Sequence, residues 1–232
     1  MNEFLIPLSK YDVTWAARGL PLALRTAIMK LPPGDLVIAG GYLRAKIAGE
    51  RVNDIDLFVR DRSFAMQYAK QLAGKRKIHE TENALSFSVG RHRVQIIQRW
   101  VYGHPGELLQ SFDFTIAMAG IWYTGSEWTS LAHPNFYSDL AAKRLVYTTP
   151  NRNEDAGGSM LRVLKFYQRG YRIPLDSLGA VIARIALGAS LGSDDTEQVW
   201  GKVLTALLRE VDPEIDPNHL AHLPSQSSEE KQ

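Results

Sequence analysis

The chain has 232 residues, no cysteine and a formal net charge of +2. That length suffices for one large domain or two modest ones; the absence of thiols excludes disulfides, thiolate zinc sites and a cysteine nucleophile, and so small a net charge does not by itself announce a nucleic-acid partner. No apolar run is long enough to span a bilayer, and the first residues lack the charged start and apolar core of a signal peptide, so a cytoplasmic protein with no membrane partner is expected.

Residues 13–30 carry apolar side chains at helical spacing, and Pro32, Pro33 and Gly34 stop that pattern. An apolar strand over 36–39 then runs into Gly40 and Gly41, which open a short amphipathic helix. A glycine pair at such a turn lets the backbone approach a phosphate closely, and the helix start presents free amide donors. Arg44, one turn in, offers a forked guanidinium to phosphate oxygens. Asp54 and Asp56 flank Ile55 in the next apolar run, so on an extended chain both carboxylates leave one face while Ile55 and Leu57 point to the other. Two acids on one face repel each other unless a cation joins them, and magnesium, or manganese in its place, takes one or two protein carboxylates together with substrate phosphates.

A helix is expected over 61–72, with Asp61 or Ser63 as cap and Gly74 as its end. Three extended segments follow at 77–80, 85–89 and 93–97, separated by turn signals at Asn83 and Gly90; Lys75 to Lys77 and Arg91 to Arg99 form locally basic stretches. A helical turn over 107–110 leads into SFDFTIAMAGIWY, which is apolar enough to be buried. Asp113 inside that run needs a charge partner, a metal or several hydrogen bonds, unless it caps a helix starting near Phe114. Helices are expected over 159–169, 175–191 and 196–211. The division that follows is a head over 1–135, a helical neck-like domain over 136–212 and a flexible tail over 213–232.

Four motifs in this order resemble the head domain of bacterial poly(A) polymerases and CCA-adding tRNA nucleotidyltransferases, within the polymerase-beta-like nucleotidyltransferase superfamily. The first is carried by Gly40, Gly41, Arg44, Gly49, Asp54 and Asp56, and the second by Asp113, Phe114, Thr115 and Ile116 in SFDFTIAM. Asp139, Leu140, Lys143 and Leu145 match a third, and Leu161, Arg162, Lys165, Phe166 and Gly170 a fourth. Retained order and spacing make the set far more specific than any one match. There are departures: Ala45 follows the motif arginine where the family has aspartate, Ser111 and Phe112 replace a pair of arginines, Ala117 replaces an asparagine, and Gln95 stands where many superfamily members carry a third carboxylate. The acid and arginine that read the incoming base fall on Asp155, Ala156 and Ser159, which argues against full CCA synthesis.

The resemblance implies an α+β fold, a mixed-sheet, palm-like head with helices packed on one face, followed by a small all-helical domain. It implies attack of an acceptor hydroxyl on the alpha phosphate of a nucleoside triphosphate with release of pyrophosphate. In that reaction Asp54 and Asp56 are the metal ligands and, with Asp113, the catalytic acids; Gly40, Gly41, Arg44, Asp113, Lys143, Arg162 and Lys165 contact the nucleotide. For Arg162 and Lys165 a solvated basic helix face is the other reading, and Phe166 reads first as core and second as a ring that stacks a base. The acceptor is an RNA or tRNA 3′ end, a small molecule or a protein. Two further readings stay open: a catalytically weakened nucleotide-binding regulatory module, and a toxin or defence factor that modifies tRNA.

Overall fold

Two helices precede the first strand in the computed structural model, which describes residues 5–150 and 156–188. They are α1 (Lys10–Gly19) and α2 (Leu22–Ile28). The single helical stretch expected over 13–30 breaks because Leu20, directly ahead of Pro21, takes extended backbone with ψ 145°; proline disfavours helical geometry in the residue before it. Strand β1 (Leu36–Ala39) then leads through the glycine turn into α3 (Gly41–Ile47) and β2 (Asp54–Val59). Asp61 caps a 3-10 turn by accepting from the Ser63 amide at 2.8 Å, and α4 (Ala65–Ala73) continues from it to Gly74, whose φ of 62° ends the helix as expected.

Strands β3 (His79–Glu80), β4 (Ala84–Val89) and β5 (His92–Ile97) follow, then α5 (Pro105–Gln110). Where the alternative reading of Asp113 would start a helix near Phe114, there is a 3-10 turn over Thr115–Ala117, which gives way to β6 (Ala119–Tyr123) and β7 (Trp128–Ala132). The apolar run is a strand because it fills the free edge of β1, with Ile38 opposite Ile121 and Ala39 opposite Gly120. Helices α6 (Phe136–Ala141), α7 (Ala156–Gln168) and α8 (Leu175–Gly188) complete the described elements. The helix expected over 196–211 and the tail over 213–232 lie outside the described residues, and among those described no helix is long and apolar enough to cross a membrane.

The seven strands form one mixed sheet in the order β3-β4-β5-β2-β1-β6-β7, parallel only between β2 and β5. Ile38, Ile55, Leu57, Val94 and Ile96 point to one face and meet Leu24, Tyr42, Leu43 and Tyr68 of the covering helices in the main core. Val163 of α7, Tyr171 and Val181 of α8 join the same core. The opposite face is not bare, contrary to the one-sided packing expected: Val37, Ala39 and Phe58 pack against Leu108 and Leu109 of α5. The sequence LVIA of β1 is apolar on both sides, so a further covering layer is needed there. Further along that face β2 carries Asp54 and Asp56 in place of apolar residues, and the apolar layer gives way to a polar one.

Candidate active site

Register decides what surrounds the two aspartates. Asp54 lies opposite Arg93, Asp56 opposite Gln95 and Phe58 opposite Ile97 on the parallel neighbour β5. Residues paired across neighbouring strands share a face, so the acids, Arg93 and Gln95 form one patch. Burial, and then the like charge of Asp54, push Asp56 up to about 7, while Arg93 opposes the shift. Gln95 occupies the strand position beside Asp56 where the resemblance expects a third carboxylate, and its side-chain amide donates to Ser86 Oγ at 3.2 Å. Among the described residues no three His, Cys, Asp or Glu side chains cluster as a metal site.

The glycine turn meets these acids in space. Gly40 has a φ of 74°, and a Cβ placed on it lies 3.4 Å from the Phe112 ring and 4.0 Å from Asp56 Oδ2. At Gly41 a Cβ meets nothing within 4 Å, so open space lies over the turn. Turn and acid both line a cavity of about 360 Å³. Its wall brings together Gly40, Gly41, Arg44, Asp56, Asp113, Arg162 and Lys165 from the expected set. Asp54 stands beside the cavity on the same face of β2 and is not part of its lining.

Asp113 proves to be a charge partner and not a helix cap. It is buried, and its Oδ2 accepts from Ser159 Oγ at 2.9 Å and from Arg162 Nε at 3.1 Å. The carboxylate ties α7 to the turn ahead of β6 and holds Arg162 at the cavity wall. Arg44 lines the cavity too, but it is 4% exposed, ion-paired to Glu50 and 5.0 Å beneath the Phe166 ring. Lys143 is not brought to the cavity; its Nζ lies 6.0 Å from the centre of the Tyr171 ring. The motif acid Asp139 is fully buried and structural, accepting from Thr115 Oγ1 at 2.6 Å and Arg144 Nε at 2.8 Å.

Arg169, Trp100 and Phe58 are among the lining residues that escaped the reading of the sequence. Arg169 carried a usable signal, since it continues the helical spacing of Arg162 and Lys165 into the turn that follows α7. Trp100 and Phe58 carried none, because Trp100 follows β5 in irregular chain and Phe58 resembles any apolar strand residue. Together with Phe112 they give the lining an apolar, aromatic part alongside the cations of α7 and the turn after it.

This architecture recurs in solved nucleotidyltransferases. The Thermotoga maritima CCA-adding enzyme complexed with tRNA superimposes on 94% of this chain with a TM-score of 0.59 and 18% identity, and the chain covers 54% of it. A CCA-adding enzyme in complex with CTP matches over 91% of this chain and 52% of its own, with a TM-score of 0.57 and 19% identity. A tRNA nucleotidyltransferase complexed with a primer tRNA and an incoming ATP analog matches 76% of this chain and 57% of its own, with a TM-score of 0.51 and 17% identity. At these identities the likeness is one of fold: the chain has the polymerase-beta-like nucleotidyltransferase fold, and spans about half the length of the enzymes it resembles. A search of curated proteins by sequence returns no match. Residues 23–143 match the family described as Gad2, Gabija anti-defense 2 family protein, and the chain belongs to that family.

Proposed function

We propose that the chain is a metal-dependent nucleotidyltransferase that moves a nucleoside monophosphate from a nucleoside triphosphate to an acceptor hydroxyl, releasing pyrophosphate, and that this reaction serves the anti-defence role in its family's name. One observation carries the reading: the glycine turn, Asp56 and the cationic face of α7 line a single cavity. The acid pair fits a divalent cation such as Mg2+ or Mn2+, because Asp56 is held above its ordinary range by burial and by Asp54, a strain that a bound positive charge relieves. Asp54 and Asp56 would hold such a cation, which would supply charge neutralisation at the reacting phosphoryl group and a lowered pKa for the attacking oxygen.

The chain's own residues position and compensate charge, which is most of what phosphoryl transfer requires. The backbone at Gly40 and Gly41 has room for a phosphate oxygen. Arg162, Lys165 and Arg169 place three cations along the wall that faces the triphosphate and the departing pyrophosphate. Asp113 fixes the orientation of Arg162 by accepting from its Nε, so the guanidinium meets the ligand in a set geometry. Phe112 and Trp100 offer a flat apolar surface to the base or sugar. Among the solved structures it resembles, one is complexed with tRNA, one with CTP, and one with a primer tRNA and an incoming ATP analog, which supports an RNA 3′ hydroxyl as the first acceptor to test.

The decisive experiment incubates the protein with labelled triphosphates, magnesium and candidate acceptors. Pyrophosphate release that Asp54→Ala and Asp56→Ala each abolish supports the reading; retained release in either variant refutes it. In cells carrying a Gabija defence, expression of the chain should lift protection and the double variant should not. An alternative, a nucleotide-binding regulatory module without turnover, draws on Gln95 standing beside Asp56 where a third acid belongs. It predicts nucleotide binding without pyrophosphate for any acceptor. The family name supports counter-defence over a tRNA-directed toxin, and growth arrest on expression in cells without that defence would reverse this preference.

A further inference from the structure

We infer that Arg44 is a positioning residue: together with Glu50 and Tyr171 it latches the C-terminal end of α7 to the helix behind the glycine turn, and so holds the cationic part of the cavity lining in place. Its guanidinium is committed on two sides, to the Glu50 carboxylate and to the face of Phe166. Its Nε is buried without a partner among the described residues.

Glu50 follows α3 and is tied back to it, its amide donating to the Ala45 carbonyl at 2.8 Å. Its other carboxylate oxygen accepts from the Tyr171 hydroxyl at 2.9 Å. Burial alone raises Glu50, but the hydrogen bonds from Arg44 and Tyr171 outweigh it and hold the carboxyl below its ordinary range, as a carboxylate with two committed donors requires. On the other side, α7 ends through Gly170 at φ 83°, with the Tyr171 amide donating to the Phe166 carbonyl at 3.1 Å. This turn sets the Tyr171 ring 5.1 Å from Phe166, so both residues that touch the Arg44–Glu50 pair belong to one rigid helix end. Lys143 stands beside the same latch, its Nζ 6.0 Å from the centre of the Tyr171 ring.

Helix α7 is thereby held at two points, at Asp113 through Ser159 and Arg162 near its start, and at Arg44 and Glu50 near its end. Lys165 and Arg169 line the cavity from the part of α7 and its C-terminal turn nearer the latch. Neither Glu50 nor Tyr171 lines the cavity, and this separates the two roles open to Arg44. A phosphate ligand restrained by Glu50 is released by Glu50→Gln, whereas a latch is broken by it.

The inference rests on the nucleotidyltransferase reading only for the choice of ligand. The test measures the Kd of a fluorescent ATP analogue and the hydrogen exchange of the α7 amides in Glu50→Gln, Tyr171→Phe, Arg44→Met and the Arg44→Met/Glu50→Gln double variant. Loss of one charge-assisted hydrogen bond is expected to weaken ATP binding about tenfold in each single variant and to speed α7 exchange. The double variant should be no weaker than Arg44→Met, since both changes open the same latch. Unchanged or tighter ATP binding in Glu50→Gln and Tyr171→Phe overturns the inference. Tyr171→Phe removes one oxygen atom and keeps the ring, so the result survives if the Arg44 variant fails to fold. Should the unaltered protein bind no ATP, the functional reading fails separately, and α7 exchange alone judges the latch: unchanged rates overturn it.

Discussion

Replacing Asp56 with asparagine should make the folded protein more stable at neutral and alkaline pH while removing its function. The carboxyl is displaced from its ordinary 3.8 to about 7. At 1.36 kcal/mol per pH unit, holding it ionised in the fold costs about 4 kcal/mol; the group is partly exposed, and solvent screening brings this to about 2 kcal/mol. The sign follows from which state binds the proton. Below about pH 4 the carboxyl is protonated in both the folded and unfolded chain, and asparagine gains nothing. Between about pH 4 and 7 the unfolded chain loses its proton while the folded chain keeps it, so the unaltered protein loses stability relative to Asp56→Asn; above about 7 the gap is constant. For a chain of this size about 2 kcal/mol corresponds to about 4–8 °C in Tm. Thermal melts of both proteins from pH 4 to 8.5, with chelator present, check this, and a parallel series with magnesium and ATP should show stabilisation only for the unaltered protein, growing as pH rises through 7. Equal Tm at pH 8, or a gap of the same size at pH 4, would refute the claim that buried like charge holds this site ready for a cation.

Gln95→Glu restores a carboxylate beside Asp56, and should raise magnesium affinity several-fold by calorimetry; no change would mean that this position does not reach the cation. Gly40→Ala imposes a side chain on a φ of 74° with Phe112 at 3.4 Å, a cost of about 1–3 kcal/mol, read as a lower denaturation midpoint together with lost ATP binding. Asp113→Asn leaves the Ser159 contact but removes the charge that holds Arg162; a loss of about 1.5–3 kcal/mol should appear in chemical denaturation. Arg169→Ala should weaken ATP binding more at low than at high ionic strength, since part of its effect is a screened charge; a salt-independent loss would indicate packing against Phe166 instead.

Much of the site was legible because it rests on local periodicity. Strand side chains alternate whatever the strand pairs with, so Asp54 and Asp56 had to share a face, and the helical repeat put Arg162 and Lys165 on one side of α7. The bounds of β1, the glycine bend after it and the Asp61 cap are likewise properties of a few neighbouring residues. Pairing is not local. Nothing near Ala119 says that it joins the edge of β1 and not a helix, and nothing near Leu108 says that α5 covers the far face of the sheet. The charges show the same division: Arg44 offers phosphate the same guanidinium as Arg162 does, yet one is held by Glu50 under an aromatic ring and the other is held at the cavity wall by Asp113. A charged side chain takes whichever partner packing brings within reach, and chain segments far apart in sequence make that choice together.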